Sequence, residues 1–312
     1  MPVKDVRRKA EPVSSGLPGL PTERKKPETD PLRYTLLLYG REKIGKTTWL
    51  ASFPGAIFFS TEPGTKGLPI FEYNSDDGGC RSWEILRHGV KLLEQDTSKF
   101  KTVVIDTADR AYELCMDYVC KSLGIPHPGE DIGGKKDYGR SWKEIKKEFT
   151  SVLHRILQTG RGLVLTSHAK EETFRSRSGE EFTRIHPSMP GQARSVVESL
   201  VDLFFYCEYM RAPDGSTKRV IITSGDEVVF AGHRSLDGVS LPHLIPMTKE
   251  GGFNLYALAF AGKDVGLDPK TLLPSKTAPE TIKKFYADIR MGRLTTGKGG
   301  KSDAKKVPVR AG

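Results

Sequence analysis

Tyr34-Thr-Leu-Leu-Leu-Tyr-Gly40-Arg-Glu-Lys-Ile-Gly45-Lys46-Thr47-Thr48 is the stretch that decides the fold of this 312-residue chain. An apolar run of strand type enters Gly40-Arg41-Glu42-Lys43-Ile44-Gly45-Lys46-Thr47, which is G-x-x-x-x-G-K-T, and a helical segment follows from Trp49 to Ser52. The glycines let successive backbone N–H groups curl around phosphate oxygens, and the helix N-terminus adds its partial positive charge. Lys46 has the reach for the β- and γ-phosphates, and the Thr47 hydroxyl can ligate Mg2+. Gly40 through Thr48 are therefore the expected contacts for ATP, with Mg2+ beside it.

A magnesium shell also needs a carboxylate. Thr102-Val-Val-Ile-Asp106 provides an apolar strand ending in an acid, the Walker B pattern, and assigns Asp106 to the metal with Thr47. Many P-loop ATPases carry a Glu directly after this Asp, but here the position is Thr107. The alternative is a Glu at the end of the neighbouring strand, and Ile57-Phe-Phe-Ser-Thr-Glu62 has that form at the edge where open parallel sheets bind ligands. Glu62 is thus the candidate to activate water; a solvated loop glutamate is the competing reading. Leu163-Val-Leu-Thr-Ser167-His168 supplies a polar strand tip between the two Walker strands, with His168 or Ser167 facing the nucleotide.

Around these motifs the chain alternates apolar runs with amphipathic segments. Strands are expected at Tyr34–Tyr39, Ala56–Thr61, Thr102–Asp106, Leu163–Ser167 and Leu203–Tyr209. Helical spacing links Trp83, Leu86, Val90 and Leu93, and again Tyr112, Cys115, Met116 and Val119. Ser141-Trp-Lys-Glu144 reads as a capping box ahead of a stripe of Trp142, Ile145, Phe149, Val152, Leu153 and Ile156. Arg211-Ala-Pro-Asp-Gly215 reads as a turn, and Arg219–Thr223 and Val228–Phe230 as a hairpin around Ser224-Gly-Asp226. Strand–helix alternation of this kind predicts an α/β fold with a parallel sheet flanked by helices.

Composition bounds the rest. The formal charge is +10, but residues 1–30 hold seven basic against five acidic groups and residues 292–312 six against one, which leaves +3 on the body. Residues 1–30, rich in Pro and charge, are expected to be a disordered tail, and 292–312 a basic disordered tail that is either an electrostatic arm or a solvating one. No apolar run has the length of a membrane span, so no membrane association is expected. Cys80, Cys115, Cys120 and Cys207 show no metal-ligand rhythm and read as buried free thiols in a reducing cytoplasm.

The residues quoted so far resemble the RecA-like class of P-loop ATPases, and more narrowly the phage-type nucleotide-binding proteins that include the single-strand-annealing ATPases of the Sak group. Further stretches carry the likeness: Ser52-Phe-Pro-Gly-Ala-Ile-Phe-Phe-Ser-Thr-Glu62-Pro-Gly-Thr-Lys66, Gly139-Arg-Ser-Trp142, Ser167-His-Ala-Lys170, and Met189-Pro-Gly-Gln192 leading into Val201-Asp202-Leu-Phe-Phe-Tyr206. It spans Leu32 to Pro246. The resemblance implies a RecA-like P-loop NTPase core at 31–235, with a β-hairpin extension, and a small C-terminal extension at 236–291. It implies catalytic roles for Lys46, Glu62 and His168, the last standing where relatives place a γ-phosphate-sensing glutamine. RecA-like relatives often carry Lys-x-Arg near the end of the core, reaching a neighbouring subunit's nucleotide. Here Ala231-Gly232-His233-Arg234 keeps only the arginine, so Arg234 is the corresponding candidate.

Two loops are candidates for single-stranded DNA. The segment Lys170 to His186 interleaves Arg175, Arg177 and Arg184 with Phe174 and Phe182, so that basic groups can hold phosphates while rings stack on bases. A surface β-hairpin turning at Ser178-Gly179 is the competing reading. Gly133-Gly-Lys135-Lys136-Asp-Tyr138-Gly-Arg140 is a second basic loop, or a lid over the nucleotide. The expected protein is an ATP-hydrolysing homo-oligomer, ring or filament, that binds single-stranded DNA and promotes annealing or recombination. It would act in the host cytoplasm if phage-encoded, with a single-strand-binding or replication protein as a further partner. The alternative is an NTP-dependent helicase loader or replication accessory acting through a protein partner.

Overall fold

A computed structural model describes residues 20–96, 100–177, 179–234, 240–248 and 251–290. The fold opens with β1 (Thr35–Gly40), α1 (Lys46–Leu50), β2 (Ala56–Ser60), β3 (Phe71–Glu72), α2 (Trp83–Gln95), β4 (Thr102–Asp106) and α3 (Ala108–Leu123).

 The chain continues with α4 (Arg140–Gln158), β5 (Gly162–Arg175), β6 (Glu181–Pro187), α5 (Gly191–Leu200), β7 (Leu203–Arg211), β8 (Thr217–Ile222), β9 (Gly232–His233), β10 (Leu244–Pro246), α6 (Gly252–Phe260) and α7 (Glu280–Arg290).

The sheet runs β10-β8-β7-β1-β5-β4-β2-β3. From β7 to β3 all neighbours are parallel, while β8 and β10 extend that edge as antiparallel strands. The apolar runs seen in the sequence follow from burial on both faces. Leu37, Ile57, Phe59, Val103, Ile105, Leu163 and Leu165 point into one core with α2, α3, α4 and α5. Their sequence neighbours Leu36, Leu38, Phe58, Val104 and Val164 point into the other, with α1, α6 and the start of α7. This is a three-layer α/β core with β5 between the two Walker strands, the strand arrangement of a RecA-like P-loop NTPase.

Trp83, Tyr112 and Phe149 anchor the first core, with Trp83 stacked on Phe149 and Tyr112 edge-on to it. Fully burying such a ring contributes about 1.5–3 kcal/mol. The stripe on α4 holds as read for Ile145, Phe149, Val152, Leu153 and Ile156, whereas Trp142 is 36% exposed. The capping box is not formed. Gly139 takes the N-cap position, and the Asp137 carboxylate accepts from the Gly139 and Ser141 N–H groups at 3.0 and 2.8 Å. Ser141 instead turns inward, where its hydroxyl accepts from Gly129 N–H and donates to Asp137.

Two strand readings need correction. β8 forms a hairpin with β7 through the turn at Ala212–Ser216, and its other edge pairs with β10, not with Val228–Phe230. Val228–Phe230 docks on Ile185 by backbone bonds at both ends. β5 also runs eight residues beyond Ser167, because β6 pairs with it antiparallel from Ala169 to Arg175. The segment after the core joins the same sheet through β10, and α6 packs on α1. All four cysteines are buried free thiols. Of the expected tails at 1–30 and 292–312, residues 1–19 and 292–312 lie outside the described residues, while 20–30 form no helix or strand and meet the core where the Tyr34 hydroxyl donates to the Glu28 carbonyl at 2.6 Å. No helix among the described residues is long and apolar enough to cross a membrane.

Candidate functional site

The carboxyl ends of β1, β2, β4 and β5 converge on one edge of the sheet, and the turn after each strand places a polar group there. β1 ends on Gly40, which must be glycine because a Cβ at that point would lie 2.6 Å from the Cys207 carbonyl oxygen on β7. Gly45 enters α1 at φ +108°, a conformation that side chains disfavour, and so lets the loop close over its own N–H groups. Lys46 is buried, and its ammonium donates to the carbonyls of Gly40 and Arg41 at 2.8 and 3.0 Å. Burial pushes the ammonium pKa below its ordinary value, against the nearby Cys207, Asp106, Asp109 and Glu62. Arg41, Glu42 and Lys43 form the exposed crest of the loop, Ile44 is buried beneath it, and Thr48 lies in the first turn of α1.

Thr47 and Asp106 meet as their motifs predict. The Thr47 hydroxyl donates to one carboxylate oxygen of Asp106 at 2.7 Å, and the Thr166 hydroxyl donates to the other. A hydroxyl and a carboxylate side by side are hard oxygen donors of the kind Mg2+ takes, so the residues present fit that ion. Thr166 was not singled out in the sequence, although it lies within the strand whose tip was.

Glu62 stands next to this pair. One oxygen accepts from the Thr107 hydroxyl at 2.8 Å, and the other lies 3.3 Å from Nε2 of His168. The glutamate after β2, the histidine on β5 and the threonine after β4 therefore form one cluster beside the Thr47–Asp106 pair. Asp109, in the first turn of α3, accepts from Ser167 at 3.1 Å and from Ser188. Burial raises its pKa, and the two serine hydroxyls oppose that shift.

Arg219 is a site residue that sequence reasoning missed. It sits on β8, and its guanidinium donates to the Ile44 carbonyl at 3.2 Å, against the outer side of Gly45. No local motif marks it; the contact spans 175 positions. Arg234 is not brought to this cluster. β9 pairs with the first residues of β7, so Arg234 lies at the opposite, amino edge of the sheet. There it is 3.5 Å from Asp202 and donates to the Ser199 carbonyl at 2.7 Å. Any catalytic part it takes falls outside its own chain's cradle.

The expected DNA loop is the β5–β6 hairpin, a direct continuation of the strand that carries His168. Phe174 and Phe182 face each other across it with ring centroids 6.0 Å apart and planes at 25°. Arg184 lies over the ring of Phe230, 5.6 Å from its centroid, whereas Arg175 and Arg177 are exposed. In the second loop Lys135 and Lys136 are exposed, and Tyr138 is 91% exposed at φ +47°.

The loop, the two Walker residues and the intervening polar strand define a RecA-like P-loop nucleotide-binding domain. The sequence of residues 32–235 matches the AAA domain family AAA_24, and the chain belongs to that family. Among curated proteins none matches the chain by sequence. Several solved structures are similar at low identity. A KaiC-like protein, PH0186, from the hyperthermophilic archaeon Pyrococcus horikoshii OT3 is 15% identical over 69% of this chain and 85% of its own, with a TM-score of 0.36. The flagellar accessory protein FlaH from Methanocaldococcus jannaschii is 8% identical over 69% and 85%, with a TM-score of 0.39. The RadB recombinase is 15% identical over 70% and 89%, with a TM-score of 0.37.

Proposed function

We propose that this chain is a Mg2+-dependent ATPase that binds single-stranded DNA and promotes annealing or recombination as a homo-oligomer, in the manner of the Sak group. The observation that carries the reading is the continuity of β5: the strand passes His168, 3.3 Å from Glu62, and runs without a break into the Phe174–Phe182 hairpin. One strand thus joins the nucleotide cluster to a hairpin that carries the paired rings of Phe174 and Phe182 on one face and Arg175 on the other. DNA bound on the hairpin and phosphate held in the cradle would bias the same strand.

In this reading the backbone N–H groups of Gly40–Thr48 hold the triphosphate. Lys46 exchanges the Gly40 and Arg41 carbonyls for phosphate oxygens. Thr47 and Asp106 would hold Mg2+, which when bound would neutralise charge that develops on the phosphates. Glu62 orients a water in line with the γ-phosphate and accepts its proton, and His168 stands beside it to register whether the γ-phosphate is present. Arg175, Arg177 and Arg184 hold DNA phosphates, Phe174 and Phe182 stack on bases, and Lys135 and Lys136 add a second basic contact.

Phosphate release measured with and without single-stranded oligonucleotide tests the reading, alongside Glu62→Gln. The expected result is turnover that rises with DNA in the wild type and is lost in Glu62→Gln with ATP binding retained. Turnover indifferent to DNA, with no gel shift in ATP–Mg2+, would refute the DNA half. A Glu62→Gln protein with wild-type turnover would refute the chemistry.

A further inference from the structure

We propose that Thr107 is the positioning residue for Glu62, holding the carboxylate in the orientation from which it acts on water. The inference rests on Glu62 being the base. Thr107 occupies the position where many P-loop ATPases carry the acid itself, and here it presents a hydroxyl to an acid from the next strand.

The direction of that hydrogen bond is fixed by the surroundings. A threonine hydroxyl has one proton to give and lone pairs to receive with. Thr107 is the N-cap of α3, and its oxygen receives the Arg110 N–H at 3.3 Å. An amide N–H can only donate, so the hydroxyl proton remains for Glu62, whose oxygen is 2.8 Å away. One hydroxyl therefore caps the helix and tethers the base together.

Its backbone is fixed just as closely. The Thr61 hydroxyl donates to the Thr107 carbonyl at 2.8 Å and receives the Thr107 N–H at 2.9 Å. Thr61 N–H donates to the Asp106 carbonyl at 2.8 Å. These three bonds clamp the end of β2 to the end of β4, one residue before Glu62. Thr107 is 3% exposed, so water does not readily replace its hydroxyl. Glu62 is itself 36% exposed, and among the described residues its other side-chain partner is His168, at the longer distance of 3.3 Å.

The test compares Thr107→Val, Thr107→Ser and Thr107→Gly with Glu62→Gln in the full chain. Each is assayed for kcat, for KM, for affinity toward a fluorescent non-hydrolysable ATP analogue with Mg2+, and for melting temperature. Thr107→Val removes both the tether and the cap. It should lower kcat by about 10²-fold, the scale of a misplaced catalytic group, with analogue affinity within about twofold of wild type. Thr107→Ser keeps both bonds and should recover most of the rate. Thr107→Gly removes the tether alone, because glycine is tolerated at an N-cap about as well as threonine. It should melt nearer the wild type than Thr107→Val and still be slow, which separates tethering from capping and covers a poorly folded valine variant. The proposal is overturned if Thr107→Val or Thr107→Gly turns over within about threefold of wild type while Glu62→Gln is inactive. Loss of analogue affinity in step with kcat overturns it too. If Glu62→Gln itself retains turnover, the base is elsewhere and the proposal falls with that reading.

Discussion

Gly45→Ala should damage the phosphate loop in two separable ways, and Arg219 separates them. At φ +108° an alanine is strained whatever surrounds it, at a cost of about 1–3 kcal/mol. Its Cβ would also sit 2.7 Å from Nη1 of Arg219, closer than such atoms approach, so the guanidinium must leave the Ile44 carbonyl. A hydrogen bond from a charged donor contributes about 1.5–3 kcal/mol, and at 3.2 Å the lower end applies. The single substitution should therefore cost about 2.5–4.5 kcal/mol, the sum of strain and lost bond. In an Arg219→Ala background the obstruction is gone. Met247 is the next neighbour, and its methyl at 3.9 Å is an ordinary contact. There Gly45→Ala should cost only the strain, so the two substitutions should couple by about 1.5 kcal/mol, with the double variant more stable than the sum of its parts predicts. Urea unfolding followed by tryptophan fluorescence, without nucleotide, measures all four corners of the cycle. Additivity within about 0.5 kcal/mol would show that Arg219 does not support the loop at Gly45.

Lys46→Ala should abolish phosphate release and leave the far-ultraviolet dichroism unchanged, because it deletes a phosphate contact and no apolar core volume; unchanged turnover would remove the basis of the nucleotide assignment. Asp109→Asn should melt above the wild type at pH 7.5, with the gap closing toward pH 4. The sign follows from burial, which raises the folded pKa above the unfolded value of about 3.9, so stability present at low pH is lost as pH rises through the folded value. A gap that does not change with pH refutes that cause. On the hairpin, replacing Arg175, Arg177 and Arg184 by Ala should flatten the salt dependence of single-strand binding by about 0.7 in the log–log slope per lost phosphate contact. Replacing Phe174 and Phe182 by Ala should weaken binding by about 1–3 kcal/mol per stacked base with the slope unchanged. Deleting residues 292–312 is the control: loss of binding there, and not in the hairpin variants, assigns the contact to the tail.

What was legible in the sequence was contiguous. The phosphate loop announces itself because its glycines, lysine and threonine must be close in sequence to curl around one group, and Asp106 because an apolar strand ending in an acid is a local pattern. Glu62 and His168 could be placed because a parallel sheet brings the carboxyl ends of its strands to one edge. Arg219 could not, since nothing in Thr217–Ile222 distinguishes a side chain that reaches the loop from one that faces solvent. The hairpin at Ser224-Gly-Asp226 was misread for a related reason. Its turn signal is real, but whether Val228–Phe230 returns along β8 depends on which edge is free, and β10 already occupies that edge. Arg234 was read as reaching a neighbouring subunit's nucleotide; its place by Asp202 and Ser199, at the amino edge of the sheet, keeps it away from its own chain's cradle and leaves that reading to an assembly.

The length of β5 is the more instructive case. Its apolar half, Leu163 to Leu165, is covered by helices and reads clearly as strand; its second half, Lys170 to Arg175, is polar and reads as loop. Both halves are one strand because β6 satisfies the backbone of the second half, as β1 and β4 do for the first. That change of support falls at His168 and Ala169, beside Glu62. Ser188, which follows β6, returns its N–H to the His168 carbonyl at 2.9 Å, so both ends of the hairpin are fastened at the nucleotide cluster. A shift of the His168 backbone on phosphate binding must then be carried by both hairpin strands, since neither can slip in register without breaking the ladder from Ala169 to Arg175. Coupling between ATP and the Phe174–Phe182 surface therefore needs no moving domain. It needs only that the strand tip have two positions, with and without the γ-phosphate.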